Sequence, residues 1–173
     1  CVVVLDSLCR ILTTLVIVVS RPPLAAPIKQ LRDVVGRRRG YDGRFGHFDF
    51  RKHFYGRIGD FDSKEEFECA CQLDMWAQQG RIQFWVRNLV RREGSSFFLQ
   101  KADGRFYPDF LCQLPELAGQ PGSILAVEYK GSDRWTDAED DRLIGGLWAT
   151  LSNGQCRFVM VKDKRWDWVA EKL

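Results

Sequence analysis

The sequence predicts an α/β protein whose central sheet is mixed, with strands in both antiparallel and parallel pairs. Two apolar runs at residues 105–112 and 124–131 are typical of buried strands, and the loop between them is rich in proline and glycine, which indicates a hairpin. An amphipathic helix at residues 136–151 separates the second run from a further strand at residues 155–161. A strand–helix–strand connection of this kind places its two strands parallel to each other.

The length of 173 residues is enough for one domain with a substantial core, which we expect over residues 41–173. Residues 1–40 are predicted to form a separate N-terminal region that is first apolar and then rich in proline and arginine. Because the chain begins with Cys1 rather than methionine, we expect it to be a fragment that lacks an upstream region.

The apolar segment at residues 2–19 has three interpretations. Asp6 and Arg10 interrupt it, and each charge costs about 2.5–3.5 kcal/mol at the centre of a membrane helix. We therefore favour a buried strand or helix that belongs with the missing upstream region. An out-of-frame translated segment ranks second and membrane insertion third, so we do not expect a membrane protein.

The net charge is only +3, but it is unevenly distributed along the chain. Residues 1–60 contain 11 Lys and Arg against 5 Asp and Glu, whereas residues 61–173 contain 15 against 18. A basic part beside an acidic part suits a protein that binds a polyanion and has a metal site. A solvated basic arm explains the same pattern equally well.

The six cysteines form no C-x-x-C pair, so the sequence predicts neither a zinc site nor a disulfide framework. Reduced cysteines are typical of the cytoplasm, where we expect the protein. His47 and His53 lack a matching carboxylate pattern, and we discount them as metal ligands. No G-x-x-x-x-G-K-S/T loop occurs, so an ATP-driven motor would have to lie outside this chain.

The start of the predicted domain combines phenylalanine with arginine. Phe48, Phe50 and Phe54 indicate a strand edge and a turn, and Arg44 and Arg51 lie beside them. Aromatic and arginine side chains interleaved in this way stack on nucleic-acid bases. We nevertheless favour core packing for the phenylalanines.

A helix is predicted to begin at Ser63, because Ser63 and Glu66 form a capping box. Helical spacing puts Glu66 on the same face as the apolar Leu73, which points its carboxylate toward the core. Two strands follow, at residues 81–89 and 96–100.

The predicted helix at residues 136–151 has Thr136 as its cap, because threonine accepts a hydrogen bond from the first turn. Its apolar stripe ends where Asn153 and Gly154 stop the helix. Residues 163–173 are predicted to form a terminal helix that packs against the core.

Three charged residues stand where buried strands should have none: Asp109, Glu128 and Lys130. Side chains alternate across a strand, so Glu128 and Lys130 share one face with the apolar Ala126. If the two strands pair, Asp109 approaches Glu128. Two adjacent carboxylates repel each other, and a divalent cation would relieve that repulsion.

These charges belong to a recognisable pattern, which consists of Pro108 and Asp109 followed by Glu128, Tyr129 and Lys130. The pattern resembles the PD-(D/E)xK nuclease signature. Its wider context, residues 106–110 and 127–131, is similar to the nuclease-like domain at the C-terminus of type III restriction subunits and of related DEAD/DEAH-box helicase proteins. The resemblance covers residues 41–165, and it implies a restriction-endonuclease-like sandwich with a mixed central β-sheet flanked by helices.

The resemblance implies a metal-dependent DNA endonuclease that hydrolyses phosphodiester bonds with Mg²⁺, or with Mn²⁺ as a substitute. Asp109 and Glu128 would hold the metal together with the backbone carbonyl of Tyr129. Lys130 would orient or deprotonate the attacking water and stabilise the charge that develops on phosphorus.

A helix before the hairpin supplies a further acidic residue in the resembling nucleases. We select Glu66 for this role, to position a second metal or its water, with Glu68 as the fallback. The alternative is that Glu66 merely caps its helix. A Trp-Val-Arg-Asn-Leu segment also resembles the helicase-associated family. The candidate nucleic-acid contacts are Arg87, Asn88, Arg44 and Arg51.

The implied partners are DNA and a helicase or ATPase module in the same or a partner chain, with no small-molecule cofactor. Two alternatives stay open. The first is a catalytically inactive nucleic-acid-binding or scaffold module attached to a helicase motor. The second is a different phosphodiesterase, or an enzyme whose substrate is RNA.

Overall fold

The computed structural model describes residues 47–59, 61–91, 96–116 and 122–173. The predictions for residues 1–46, which include the apolar segment, the linker and Arg44, lie outside the described residues. The helices and strands follow in the order β1 (His47–Asp49), β2 (Arg57–Gly59), α1 (Lys64–Gln78), β3 (Phe84–Arg87), β4 (Leu99–Lys101), β5 (Gly104–Phe106), β6 (Phe110–Gln113), β7 (Ile124–Tyr129), α2 (Glu139–Leu151), β8 (Cys156–Val161) and α3 (Trp166–Ala170).

Four strands form the central sheet, in the order β3, β6, β7 and β8. Strand β6 is antiparallel to both β3 and β7, whereas β7 and β8 are parallel. The predicted mixed α/β sheet is therefore confirmed, and so is the parallel alignment of the last strand. The pairs β1–β2 and β4–β5 form two separate hairpins.

The helices pack on the two faces of the central sheet. Leu125 and Val127 point to one face, where they pack with residues of α1 and α3. Ala126 points to the other face, where it packs with Trp148 of α2. Because β7 is covered on both sides, it is apolar at successive positions, and each buried Leu or Val stabilises the fold by about 1.5–3 kcal/mol.

The predicted strand at residues 105–112 is two strands. Tyr107, Pro108 and Asp109 separate β5 from β6, because Pro108 has no N–H to give to a sheet. Its carbonyl accepts a hydrogen bond from the side chain of Asn88 instead, at 2.8 Å. This break puts Asp109 immediately before β6, at the edge of the regular pairing.

The helix starts were predicted with mixed success. Ser63 is the cap of α1, and its hydroxyl accepts the N–H of Glu66 at 3.0 Å, as expected. The prediction of Thr136 as the cap of α2 is wrong, because residues 135–138 form a turn and Ala138 precedes the helix without a capping side chain. None of the helices in the described part of the chain is both long and apolar enough to cross a bilayer.

Two further predictions hold in part. The terminal helix begins only at Trp166, because Asp163 and Lys164 have φ angles of 49° and 57°, which a right-handed helix does not contain. Core packing is confirmed for Phe48, which is buried, but it is wrong for Phe54, which is 44% exposed.

The neighbouring glycines Gly145 and Gly146 of α2 have different surroundings. A methyl group at Gly145 would lie 2.5 Å from the ring of Phe158, whereas at Gly146 it would meet nothing within 4 Å. We expect Gly145→Ala to lower the free energy of unfolding by about 1–3 kcal/mol, because the ring must move. Gly146→Ala is the matched control and should raise it by about 0.5–1 kcal/mol through helix propensity. Urea unfolding measures both changes, and equal effects would contradict this packing.

Candidate functional site

Asp109 and Glu128 lie side by side where β6 and β7 meet. Phe110 pairs with Val127 in the antiparallel register, which puts Asp109 opposite Glu128. The Asp109 N–H donates to Oε2 of Glu128 at 3.1 Å, and the Tyr129 N–H donates to Oδ2 of Asp109 at 2.8 Å. Each carboxylate is therefore held by the backbone of the neighbouring strand.

Lys130 supplies the positive charge of this cluster. It follows the last residue of β7, and its N–H donates to the carbonyl of Val161 in β8 at 2.8 Å. Its Nζ lies 2.5 Å from Oε1 of Glu128. The side chain of Glu128 is buried and that of Lys130 is 21% exposed, so the ammonium lies at the boundary with solvent. We call Asp109, Glu128 and Lys130 the charged triad.

Burial and mutual repulsion disfavour the ionised forms of the two carboxyl groups. Burial raises the pKa of Asp109 well above its usual range, and the charges of Glu128 and Glu66 raise it further. Burial also raises the pKa of Glu128, to about 7, although Lys130 acts in the opposite direction. A divalent cation would favour the ionised forms, because it supplies charge compensation that a single ammonium leaves incomplete.

Lys130 is an ammonium at neutral pH. Burial acts to lower the pKa of Lys130, but the charges of Glu128 and Asp109 together outweigh burial and raise it. An amine with a raised pKa donates hydrogen bonds and attracts negative charge, but it does not take a proton from water. Of the two roles predicted for Lys130, the structure favours orienting the water over deprotonating it.

A second ion pair lies near the charged triad. Lys101 at the end of β4 and Asp141 in the first turn of α2 are 3.0 Å apart. The charge of Asp141 also raises the pKa of Glu128 and of Lys130, so it lies within electrostatic reach of both. Sequence analysis missed this pair, because Asp141 is one of several acidic residues in a first turn, where the helix dipole favours them.

Glu66 is buried at the start of α1, and its carboxylate is already engaged. One oxygen accepts the N–H of Asp62 and the other accepts Nε–H of Arg87, each at 2.8 Å. The structure thus favours the alternative of a helix-capping role and adds an ion pair that the sequence did not indicate. Glu68, the fallback, pairs with Lys164 at 2.8 Å.

Arg87 and Asn88 face the interior of the protein. The guanidinium of Arg87 is paired with Glu66, and its side chain is 12% exposed. The amide of Asn88 donates to the carbonyls of Phe97 and Pro108 at 2.8 Å each, and its oxygen accepts the N–H of Phe97 at 3.0 Å. These bonds argue against the predicted contacts of Arg87 and Asn88 with DNA.

Arg51 remains a candidate for a phosphate contact. Its side chain is exposed, and its guanidinium donates to Gln78 at 3.3 Å. The backbone N–H groups of Arg51 and Lys52 donate to the buried carboxylate of Asp74, which fixes this loop on α1. Arg44, the fourth predicted contact, lies outside the described residues.

Metal binding at the charged triad would rest on oxygen atoms. In the described ranges, no group of three or more His, Cys, Asp or Glu side chains is arranged to hold a metal ion. Two carboxylates and the backbone carbonyl of Tyr129 still offer the oxygen donors that Mg²⁺ prefers, and this ion keeps several waters. The donor atoms of Asp109, Glu128 and Tyr129 are thus of the chemical kind that a hydrated Mg²⁺ takes.

Comparisons of the chain with family models, curated proteins and solved structures find no match.

His53 is a buried titratable group beside Arg87. Its Nδ1 lies 3.1 Å from the backbone nitrogen of Tyr55, and its Nε2 lies 3.0 Å from that of Arg87. A neutral imidazole accepts a hydrogen bond at one nitrogen and an imidazolium accepts at neither. Burial and then the charge of Arg87 lower the pKa of His53 to about 4.

We expect the wild-type protein to lose stability relative to His53→Gln as the pH falls from 6.5 toward about 4. The unfolded chain binds a proton at His53 near pH 6.5, whereas the folded protein resists it down to about pH 4, so acid favours unfolding. The effect is at most about 3 kcal/mol. Urea unfolding of both proteins across this range measures it. A difference in unfolding free energy that does not change with pH would disprove this role of His53.

Proposed function

We propose that this chain is a metal-dependent nuclease domain of the restriction-endonuclease-like class, which hydrolyses DNA phosphodiester bonds in the cytoplasm as part of a restriction or helicase-linked protein. The observation that carries the proposal is the charged triad, in which two adjacent carboxyl groups have raised pKa values and an ammonium lies beside them. Strongly perturbed pKa values cluster at functional sites. The mixed sheet, with α1 before it and α2 crossing over it, also supports the proposal.

In this proposal Asp109 and Glu128 hold Mg²⁺, or Mn²⁺ in its place, together with the backbone carbonyl of Tyr129. The cation supplies Lewis acidity to the scissile phosphate and to the attacking water. Lys130, as an ammonium, orients that water by donating a hydrogen bond and stabilises the negative charge that the phosphate gains. Glu128 holds Lys130 in place through their 2.5 Å ion pair.

Glu66 has a supporting role in this proposal. A second metal or its water at Glu66 would require the carboxylate to release Arg87 or the N–H of Asp62. We therefore assign to Glu66 the task of fixing Arg87 and the start of α1, while its negative charge raises the pKa of Asp109.

The second candidate function is a catalytically inactive nucleic-acid-binding or scaffold module attached to a helicase motor. The pairing of Lys130 with Glu128 and of Arg87 with Glu66 favours it, because these charges are compensated inside the protein. Buried ion pairs of this kind also occur for structural reasons. Binding of a divalent cation and cleavage of nucleic acid distinguish the two candidates.

We expect Asp109→Ala and Lys130→Met each to reduce Mg²⁺-dependent DNA cleavage by at least about 100-fold. The first variant removes a metal ligand, and the second removes the ammonium that stabilises developing charge. Asp167→Asn and Lys164→Met are matched controls, because they remove charges from other ion pairs of the protein. Initial cleavage rates on labelled DNA are the measurement, with circular dichroism to verify folding. Full activity in both triad variants would rule the proposal out.

We expect Mn²⁺ affinity to fall by at least about tenfold per pH unit below pH 7, because Glu128 has a pKa of about 7 and must lose its proton to bind a metal. Isothermal titration calorimetry at about pH 8 and pH 6 measures the change, and Asp109→Ala should abolish binding. Equal affinity at both pH values would contradict the assignment of Glu128. No binding to the folded wild type, with or without an uncleavable DNA analogue, would favour the scaffold module.

A further inference from the structure

An aromatic and cationic surface includes Tyr107, which is close in the chain to Asp109 of the charged triad. Phe98, just before β4, and Tyr107, between β5 and β6, are half-buried, and their ring centroids are 5.8 Å apart. Arg105 is exposed, and its guanidinium carbon lies 4.3 Å from the centre of the Phe98 ring. We call Phe98, Arg105 and Tyr107 the stacking surface.

The buried amide of Asn88 links the stacking surface to Asp109. It bonds to the backbone N–H and carbonyl of Phe97 and to the carbonyl of Pro108. Phe97 precedes Phe98, and Pro108 follows Tyr107. The backbone N–H of Asn88 also donates to the carbonyl of Asp109 at 2.8 Å. One buried residue therefore joins the backbone next to Phe98 and Tyr107 to the backbone of Asp109.

Arg105 is one of several exposed cations in the described ranges that have no carboxylate partner, and it also lies over an aromatic ring. Arg57 is paired with Asp49 and Arg165 with Asp167, whereas no carboxylate in the described ranges lies within 4.0 Å of the Arg105 side chain. A guanidinium stacked on an aromatic ring keeps its N–H donors for a phosphate. Half-exposed aromatic rings alone are common on protein surfaces. This pair of rings combines an arginine that has no carboxylate partner with a backbone that Asn88 joins to that of Asp109.

We propose that the stacking surface binds an unpaired base of single-stranded DNA and that Arg105 contacts a neighbouring phosphate. This inference rests on the proposed nuclease function and deepens it, because it names the substrate as single-stranded or locally unpaired DNA. Every base offers a π-face to an aromatic side chain, so such binding tolerates any sequence. A duplex hides these faces in its own stack, so a paired substrate cannot use the surface.

The test is fluorescence anisotropy with the full chain and a labelled thymidine oligonucleotide of about 20 nucleotides, compared with a duplex of the same length, in EDTA and again in Ca²⁺. We expect the wild type to bind the single strand at least about tenfold more tightly than the duplex. Tyr107→Leu and Phe98→Leu should each weaken single-strand binding by about 5- to 100-fold. Tyr107→Phe keeps the ring and should bind within about twofold of the wild type.

Two matched variants control for general effects on the surface. Tyr55→Leu makes the same change at a tyrosine that is 60% exposed on the β1–β2 turn, and binding should stay within about twofold of the wild type. Arg105→Ala should reduce the slope of log affinity against log salt by about 0.7, which corresponds to one phosphate contact. Arg157 lies near the start of β8, whereas Val161 lies at its other end. Arg157→Ala should leave that slope unchanged.

Several outcomes would overturn the stacking surface. The first is unchanged single-strand binding in folded Tyr107→Leu and Phe98→Leu, and the second is an equal loss of single-strand affinity in Tyr55→Leu. The third is tighter binding of the duplex or of uridine RNA than of the DNA single strand. The fourth is no single-strand binding by the wild type. Failure of the nuclease function gives a different result, namely ring-dependent binding without any metal-dependent cleavage. Duplex cleavage that Tyr107→Leu leaves intact would instead keep the nuclease and reject the surface.

Discussion

The carboxyl groups of Asp109 and Glu128 lie close together, and this constrains the charged and polar groups at the end of the central sheet. A buried charge costs several kcal/mol unless other groups compensate it. Crossed hydrogen bonds from the strand backbones and the ammonium of Lys130 compensate these groups. Burial raises the pKa of both carboxyl groups, that of Glu128 to about 7, which favours their neutral forms. The ionisation of both carboxyl groups therefore depends on burial and on the charges around them.

Local sequence patterns predicted the helices and strands of this fold. Contacts between residues that are distant in the chain determined where several of them end. The strands of the central sheet and the cap at Ser63 follow from apolar runs and a capping box, which are short-range signals. Pro108 itself marks the break between β5 and β6, but no pattern near it reveals that its carbonyl accepts a hydrogen bond from the amide of Asn88. The pair of Lys101 and Asp141 joins residues far apart in the chain, so the sequence offered no signal for it.

The end of β3 connects the site to the rest of the protein. Arg87 joins this strand to Glu66 of α1, and its backbone N–H lies 3.0 Å from the ring of His53 in the loop between β1 and β2. The next residue, Asn88, bonds to the backbone of Asp109. Residues that looked like surface contacts in the sequence are thus interior supports, and their polar side chains fix the geometry of the charged end of the sheet.

The parallel pairing of β7 with β8 has a consequence for the nascent chain. Until residues 156–161 have been synthesised, β7 is the edge of the sheet and exposes unpaired backbone along an apolar run, which is a template for aggregation. The antiparallel partner β6 is close in sequence and can pair early, whereas β8 must wait for α2. Glu128 and Lys130 place charge at the end of this temporary edge, where charge discourages pairing with another chain. The order in which β6, β7 and β8 are synthesised therefore gives the charges at the end of β7 a physical effect that is independent of any chemistry.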